Sequence, residues 1–347
     1  MALDRGVCEG GKFPRMYPVL FTIPTPWGGL PIFSYGVMLG LSLIVAWYLV
    51  MWLGATREGL DRDLMANTFL ITAITALVGS RILYILTNLG EFDSPREWFD
   101  IRSGGLVAYG GFLGGFAGAW AFLHYKKISL LPWADVVAPT LATGLMFTRV
   151  GCYLYGCDFG ARLSVDAPAW LKSLGTFPHW ASTAGTGFAC ASPPTGSPAF
   201  NHHVQEYHLA RDAAASFPVH PTQLYESLAG LALFALTMFV WKKRSFRGQP
   251  LFVLVMAYGV WRFFIEMVRD DPERGALGGF TTSQLISLAL VPIAGFAYFT
   301  MHRRAKALGM PAVGNLDSPP LPPPPEPSDA EKREAKKRTK KKSSSKR

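Results

Sequence analysis

Three arginines of this 347-residue chain, Arg81, Arg149 and Arg262, each lie inside a long apolar block. Placing a charge in such a block costs about 3 kcal/mol on insertion scales, so these residues face an interior and mark function by default. Arg262 has Glu266 four residues later, which sets both on one helical face, with Tyr258 one turn earlier. One structural account is that Arg262 and Glu266 simply neutralise each other. Three arginines in separate blocks exceed that account, because Glu266 is the one carboxylate in the apolar blocks well placed to balance them. Unbalanced guanidinium groups inside a bundle ask for an anion. In a bilayer the obvious small anion is a phospholipid phosphate, which guanidinium grips through paired hydrogen bonds.

Glycine gives a second signal. The stretch from Ser103 to Gly115 carries six glycines. Gly111, Gly115 and Gly118 fit close helix packing of the small-xxx-small kind. Gly110 and Gly111 would equally let backbone approach a ligand, with Tyr109 aimed into a cavity. A third polar group, His220-Pro221-Thr222-Gln223-Leu224-Tyr225-Glu226, opens another apolar block. Pro221 suits a first helical turn, and the cluster reads either as interfacial anchoring or as part of a site.

The elements that must position these residues are apolar segments of about 20 residues, each long enough to cross about 30 Å of hydrocarbon as a helix with its backbone bonded internally. They fall near 31–53, 64–88, 105–125, 133–155, 221–241, 250–268 and 281–301. The fold class is therefore an all-α membrane protein with about seven transmembrane helices. Arg57 and Arg62, Lys126 and Lys127, Lys242 to Arg247, and Arg303 to Lys306 all fall on one side, which should be cytoplasmic. The organisation is an external N-terminal segment (1–30), helices one to four (31–156), a small external head (157–220), helices five to seven (221–302), and a Pro-rich, then basic, cytoplasmic tail (303–347) expected to be disordered. No cleavable signal peptide is evident, since the first apolar block starts late and runs long.

The net charge of +10 sits largely in that tail and in short loops, so it points to an anionic membrane surface and away from nucleic acid. Cys8, Cys152, Cys157 and Cys190 match no zinc spacing. Cys152 and Cys157 could be a redox pair, but small packing residues are the favoured reading. His202, His203 and His208 lack a carboxylate or thiolate at a usual ligand spacing, so no metal is expected there.

The ordered motifs resemble the prolipoprotein diacylglyceryl transferase family of the bacterial inner (cytoplasmic) membrane, from about residue 30 to 302, most of the head excepted. They are Ser34-Tyr35-Gly36, Gly79-Ser80-Arg81, the Gly104–Gly115 block, Ala134-Asp135 with Pro139, Arg149-Val150-Gly151, His220 to Glu226, and Tyr258-Gly259 followed by Arg262 and Glu266. The resemblance implies transfer of the diacylglyceryl unit of phosphatidylglycerol to the lipobox cysteine of prolipoprotein signal peptides, with release of glycerol 1-phosphate and without a cofactor. It implies that Arg149 and Arg262 hold the phosphate, that Glu266 orients Arg262, and that Tyr109 stands at the catalytic position. Tyr35, Arg81, Gly110, Gly111, Gly151, Gly160, His220 and Tyr258 would line the substrate cavity among the other membrane lipids.

Two departures matter. The family's histidine before the glycine pair, a proposed thiol base, is Tyr109 here, which leaves hydroxide, Tyr109 or His220 as the base. The family pattern Arg-x-Gly-Asn-Phe-x-Asn-x-Glu-x-x-Gly becomes Arg149-x-Gly151-Cys152-Tyr153-x-Tyr155-x-Cys157-x-x-Gly160, with Asp158 one residue late as a partial replacement for the acid. Competing readings are a noncatalytic or altered-substrate lipid-binding paralogue and an anionic-lipid transporter.

Overall fold

The structure, a computed structural model, describes residues 18–25, 28–92, 94–99, 105–179, 196–270 and 276–308. Among the described residues, seven long helices carry the fold: α1 (Ser34–Arg57), α2 (Arg62–Thr87), α3 (Ala108–Tyr125), α4 (Leu130–Tyr155), α7 (Thr222–Lys243), α8 (Gln249–Ile265) and α9 (Thr282–Ala307). Two short helices, α5 (Ala169–Leu174) and α6 (Pro198–Glu206), lie between α4 and α7. Of the long helices, α1, α2, α4, α7 and α9 are long and apolar enough to cross a membrane by length and composition. Each expected block became a helix, with ends shifted by a few residues.

The chain is not purely helical. Strands β1 (Val19–Thr25) and β2 (Gly28–Phe33) form an antiparallel hairpin that runs directly into α1, and β3 (Ala276–Leu277) and β4 (Phe280–Thr281) form a second before α9. Neither was read from the sequence. The first hairpin leaves Phe21, Ile23 and Leu30 exposed, so its apolar residues do not alternate against a core as a buried strand's would.

Helix ends follow local chemistry. Asp61 accepts from Leu64 N at 2.8 Å to start α2, and Thr281 with Gln284 forms a reciprocal capping box on α9. Helix α4 ends on Gly156, whose φ of 83° is the left-handed region that favours glycine. Helix α4 is also the central element, packed by α1, α7 and α8 and largely buried. The outer helices instead present Ile44, Leu70, Leu113, Phe116 and Phe296 outward, as lipid-facing surfaces do.

Helices α2 and α3 meet through glycine. A Cβ on Gly110 would lie 2.3 Å from Gly79 O, one on Gly111 would lie 2.7 Å from Ser80 Oγ, and one on Gly114 would lie 2.3 Å from Thr75 O. The two backbones therefore touch, which only small residues permit.

At the end where α1 stops and α4 and α8 begin, Arg244 is fully buried. Its Nη1 donates to Asp135 Oδ2 at 2.8 Å, its Nη2 meets Glu58, and it stacks on Trp241. Asp135 Oδ1 also accepts from Gly248 N at 2.8 Å. This corrects the expectation that Arg244 belongs to a solvated basic loop cluster. Its neighbours Lys242, Lys243 and Arg247 do face outward.

In the segment before α7, His203 is fully buried among the rings of Phe159, Tyr207 and Phe217, and its Nδ1 accepts from Phe217 N at 3.1 Å. Burial, helped by neighbouring His202 and Arg162, lowers its pKa to about 4. The folded value then lies below the unfolded one of about 6.5. Stability is thus fully present above pH 6.5 and is lost as pH falls toward 4, by about 3 kcal/mol at the acid end. Hydrogen exchange of residues 198–219 should show that loss, and His203→Gln should flatten the profile. A parent protein whose exchange is flat between pH 7 and 4 would contradict the assignment.

Candidate active site

The opposite end of the bundle gathers the C-termini of α4 and α8 and the N-termini of α3, α7 and α9. Glu226, one turn into α7, is fully buried there. Its Oε1 accepts from Arg262 Nη1 at 2.8 Å. Its Oε2 meets Arg149 Nε at 2.6 Å, an ion pair whose angles fall outside those of a hydrogen bond, and Arg269 Nη1 at 3.8 Å. Arg262 Nη2 reaches Glu266 Oε2 at 2.9 Å, so the expected i,i+4 pair is present. Arg149 Nη1 donates to Asp158 Oδ2 at 2.7 Å, and Arg269 Nη2 donates to the other oxygen of Asp158.

The loop that carries Asp158 is fixed by α7. Thr222 Oγ1 donates to Asp158 O at 2.6 Å and Gln223 Nε2 to Cys157 O at 2.5 Å, both side chains fully buried. Asp158 itself has φ 58°, a conformation that aspartate tolerates better than most residues. Burial alone would raise its pKa; Arg149 and Arg269 outweigh that and hold the carboxyl well below the ordinary carboxylate range.

Among the described residues, this network sets Arg149, Arg262 and Arg269 against Asp158, Glu226 and Glu266. The expectation of unbalanced cations is therefore corrected, since Arg149 and Arg262 each meet carboxylates and Arg81 donates to backbone carbonyls. Sequence reasoning missed Glu226 as a counter-ion and missed Arg269 altogether. The signal for Glu226 was its place at the end of the His220–Glu226 string; nothing local marked Arg269. The network is not sealed. Arg149 and Arg262 side chains each keep 15% of their surface exposed.

The other expected site residues divide into two groups. Tyr109 donates or accepts at Ser283 Oγ (2.9 Å), which in turn takes Arg262 Nη2 at 3.1 Å, so Tyr109 reaches the network through one hydroxyl. Tyr258 lies within electrostatic reach of Arg262, Glu226 and Arg149, and Tyr35 within reach of Arg149 and Asp158. Gly151 packs against Tyr35, where a Cβ would lie 3.1 Å from its ring. Gly160 sits where a Cβ would lie 2.7 Å from His220 Cβ and 2.8 Å from Val268 O, so it lets the Asp158 loop thread between α7 and Arg269. His220 adjoins that loop, accepting from Gly160 N at 3.0 Å through its carbonyl, with its ring against Tyr225. Burial lowers its pKa.

Arg81, Gly110 and Gly111 stand elsewhere. Arg81 donates to Trp98 O at 2.9 Å, Gly105 O at 3.0 Å and Glu97 O at 2.6 Å, so it anchors the α2–α3 connection. Gly110 and Gly111 face α2. These contacts give all three a packing role.

Fold and network together define a multi-pass membrane protein with an ionised, partly open polar site at one end of its helices. A sequence profile of the family described as "Prolipoprotein diacylglyceryl transferase" matches residues 18–301, and the chain belongs to that family. It is similar to phosphatidylglycerol–prolipoprotein diacylglyceryl transferase 2 of Clostridium perfringens (30% identical, spanning 79% of this chain and 93% of the relative). It is also similar to the enzymes of that name from Thermus thermophilus (31% identical, 76% and 92%) and Psychrobacter arcticus (30% identical, 81% and 92%).

Proposed function

We propose that this chain transfers the diacylglyceryl group of phosphatidylglycerol to the lipobox cysteine thiol of a prolipoprotein and releases glycerol 1-phosphate. The observation that carries the proposal is the meeting of Arg149 and Arg262, from different helices, on the single carboxylate of Glu226, each with part of its side chain still exposed. In the reaction a thiolate forms an S–C bond at a glycerol carbon while the C–O bond to phosphate breaks. The phosphodiester and the thiolate each bring one negative charge, and both end on the departing phosphate. Guanidinium groups already oriented by Glu226, Asp158 and Glu266 stabilise that gain without rearranging. The thiol proton goes to a base on the rim. We assign that role to His220 beside the Asp158 loop, because an imidazole is a far stronger proton acceptor than the Tyr109 phenol.

In this proposal all seven long helices span the bacterial inner membrane. The basic residues Arg57, Arg62, Lys126, Lys127, Lys242, Lys243, Arg247, Arg303, Arg304 and Lys306 share the end opposite the site, which puts that end in the cytoplasm. The N-terminus, the α5–α6 head and the site then face outward.

Mass-labelled phosphatidylglycerol incubated with a lipobox peptide and the purified chain tests the proposal. A thioether-linked diacylglyceryl peptide with free glycerol phosphate is the expected result. Label that crosses vesicles without product would indicate a transporter instead, and binding alone a noncatalytic paralogue. Tyr109→Phe is expected to lower kcat about fivefold, the worth of one hydrogen bond of about 1 kcal/mol that steadies Arg262. Ser283→Ala should do the same, and the double variant should be no worse than either. A hundredfold loss with an altered pH profile would instead make Tyr109 the base.

A further inference from the structure

The end of α4 holds a pair of thiols that the transfer chemistry does not use. Gly156 N donates to Cys152 O at 2.8 Å and Cys157 N donates to the same oxygen at 3.2 Å. With Gly156 left-handed, the second bond is the six-to-one link of a Schellman helix end. That motif brings together the side chains of its first and last residues, usually as an apolar contact. Here both are cysteines. Their sulfurs and a carboxylate oxygen of Asp158 all lie within 4.8 Å of one another. Cys152 is buried, with its Sγ 4.0 Å from Arg149 Nη1, while Cys157 is partly exposed.

We propose that Cys152 and Cys157 are a reversible dithiol–disulfide pair set beside the anion site, and that low-molecular-weight disulfides close it. The more accessible Cys157 sulfur first attacks the small disulfide, forms a mixed disulfide and releases one small thiol. The Cys152 sulfur then attacks the Cys157 sulfur, forms the internal bond and releases the second. Two protein thiols are oxidised, one disulfide is reduced to two thiols, and the two protons leave on those thiols. The bond would brace the turn immediately before Asp158, whose carboxylate holds both Arg149 and Arg269. That the pair meets oxidants at all rests on the outward orientation proposed above, where disulfides persist. The thiol chemistry itself is independent of the transferase proposal, because it is read in thiols and not in product.

Both cysteines fall in one tryptic peptide, Val150–Arg162, which makes the test direct. The full-length chain, purified in detergent, is equilibrated with oxidised glutathione, quenched in acid, denatured, alkylated and digested. The expected peptide carries no alkyl group, is about 2 Da lighter than the dithiol form, and regains two labelled thiols after dithiothreitol. Cys152→Ser should trap Cys157 as its glutathione mixed disulfide. Two alkylated thiols in the parent peptide after equilibration, or glutathione on both, would overturn the proposal. So would protection that a chelator alone reverses, since that result assigns the cluster to a soft metal cation.

Discussion

Replacing Arg149 or Arg262 with alanine is expected to leave the protein in the membrane and to reduce transfer at least a few hundredfold, since loss of one preorganised donor to a developing oxyanion costs about 10²–10³ in rate. The two halves of that expectation come from the same contacts. Asp158 and Glu226 each have more than one arginine, whereas Glu266 is paired with Arg262. When Arg149 is removed, Glu226 keeps Arg262 and Asp158 keeps Arg269; when Arg262 is removed, Glu226 keeps Arg149. Removing Arg149 leaves both of its acids with another arginine, so abundance should stay near normal; removing Arg262 costs buried Glu266 its arginine, so that variant should be somewhat less abundant and its transfer is read per molecule. The phosphate, by contrast, loses half of a two-arginine cradle. Arg149→Lys should lose most of the activity as well, because an ammonium cannot hold Asp158 and Glu226 through a planar fork and still present a donor to substrate. The check is transfer rate per molecule, with labelled phosphatidylglycerol and quantified membrane protein. Full activity in either alanine variant would remove the phosphate assignment.

Much of the architecture was legible because the bilayer leaves few choices. A block of twenty apolar residues must bond its own backbone, so seven blocks gave seven helices within a few residues of their expected ends. The Arg262–Glu266 pair was legible for the same reason, since i,i+4 spacing on a helix fixes proximity. What could not be read was convergence over long separations. Glu226 joins Arg149 and Arg262 only because α4, α7 and α8 pack side by side, and nothing within seven residues of Glu226 states that. Arg269 follows α8 in an ordinary-looking Val-Arg-Asp string, and its burial against Asp158 depends on the loop threading past Gly160. Arg244 misled for a related reason. Charge composition marks a basic loop but cannot say which of its members turns inward. Gly110 and Gly111 had two readings on sequence, and only the carbonyl of Gly79 shows which way they face.

Arg244→Ala should have the opposite phenotype to Arg149→Ala, although both delete a buried guanidinium. At its end of the bundle Arg244 is the central cation between two fully or nearly fully buried acids, Asp135 and Glu58. Without it, among the described residues, Asp135 retains the Gly248 N–H, and Glu58 retains Arg247 at 3.6 Å, a partner whose own side chain is 47% exposed. Removing one partner of a buried ion pair leaves an uncompensated charge and costs about 3–5 kcal/mol, a large share of the stability of an ordinary domain. The loss should appear as reduced membrane abundance and a lower Tm in detergent. Because the cluster sits at the far end of α4, α7 and α8 from Arg149 and Arg262, molecules that do fold should transfer at near the normal rate per molecule. Combining Arg244→Met with Asp135→Asn and Glu58→Gln should recover part of the lost stability, since no acid is then left unpaired. An Arg244→Ala protein of normal abundance and Tm would show that water reaches this cluster and that it does not tie α1, α4 and α7 together. A folded variant that has lost transfer would instead mean that the two ends of the bundle are coupled, and would weaken the separation between structural and functional arginines on which the site assignment depends.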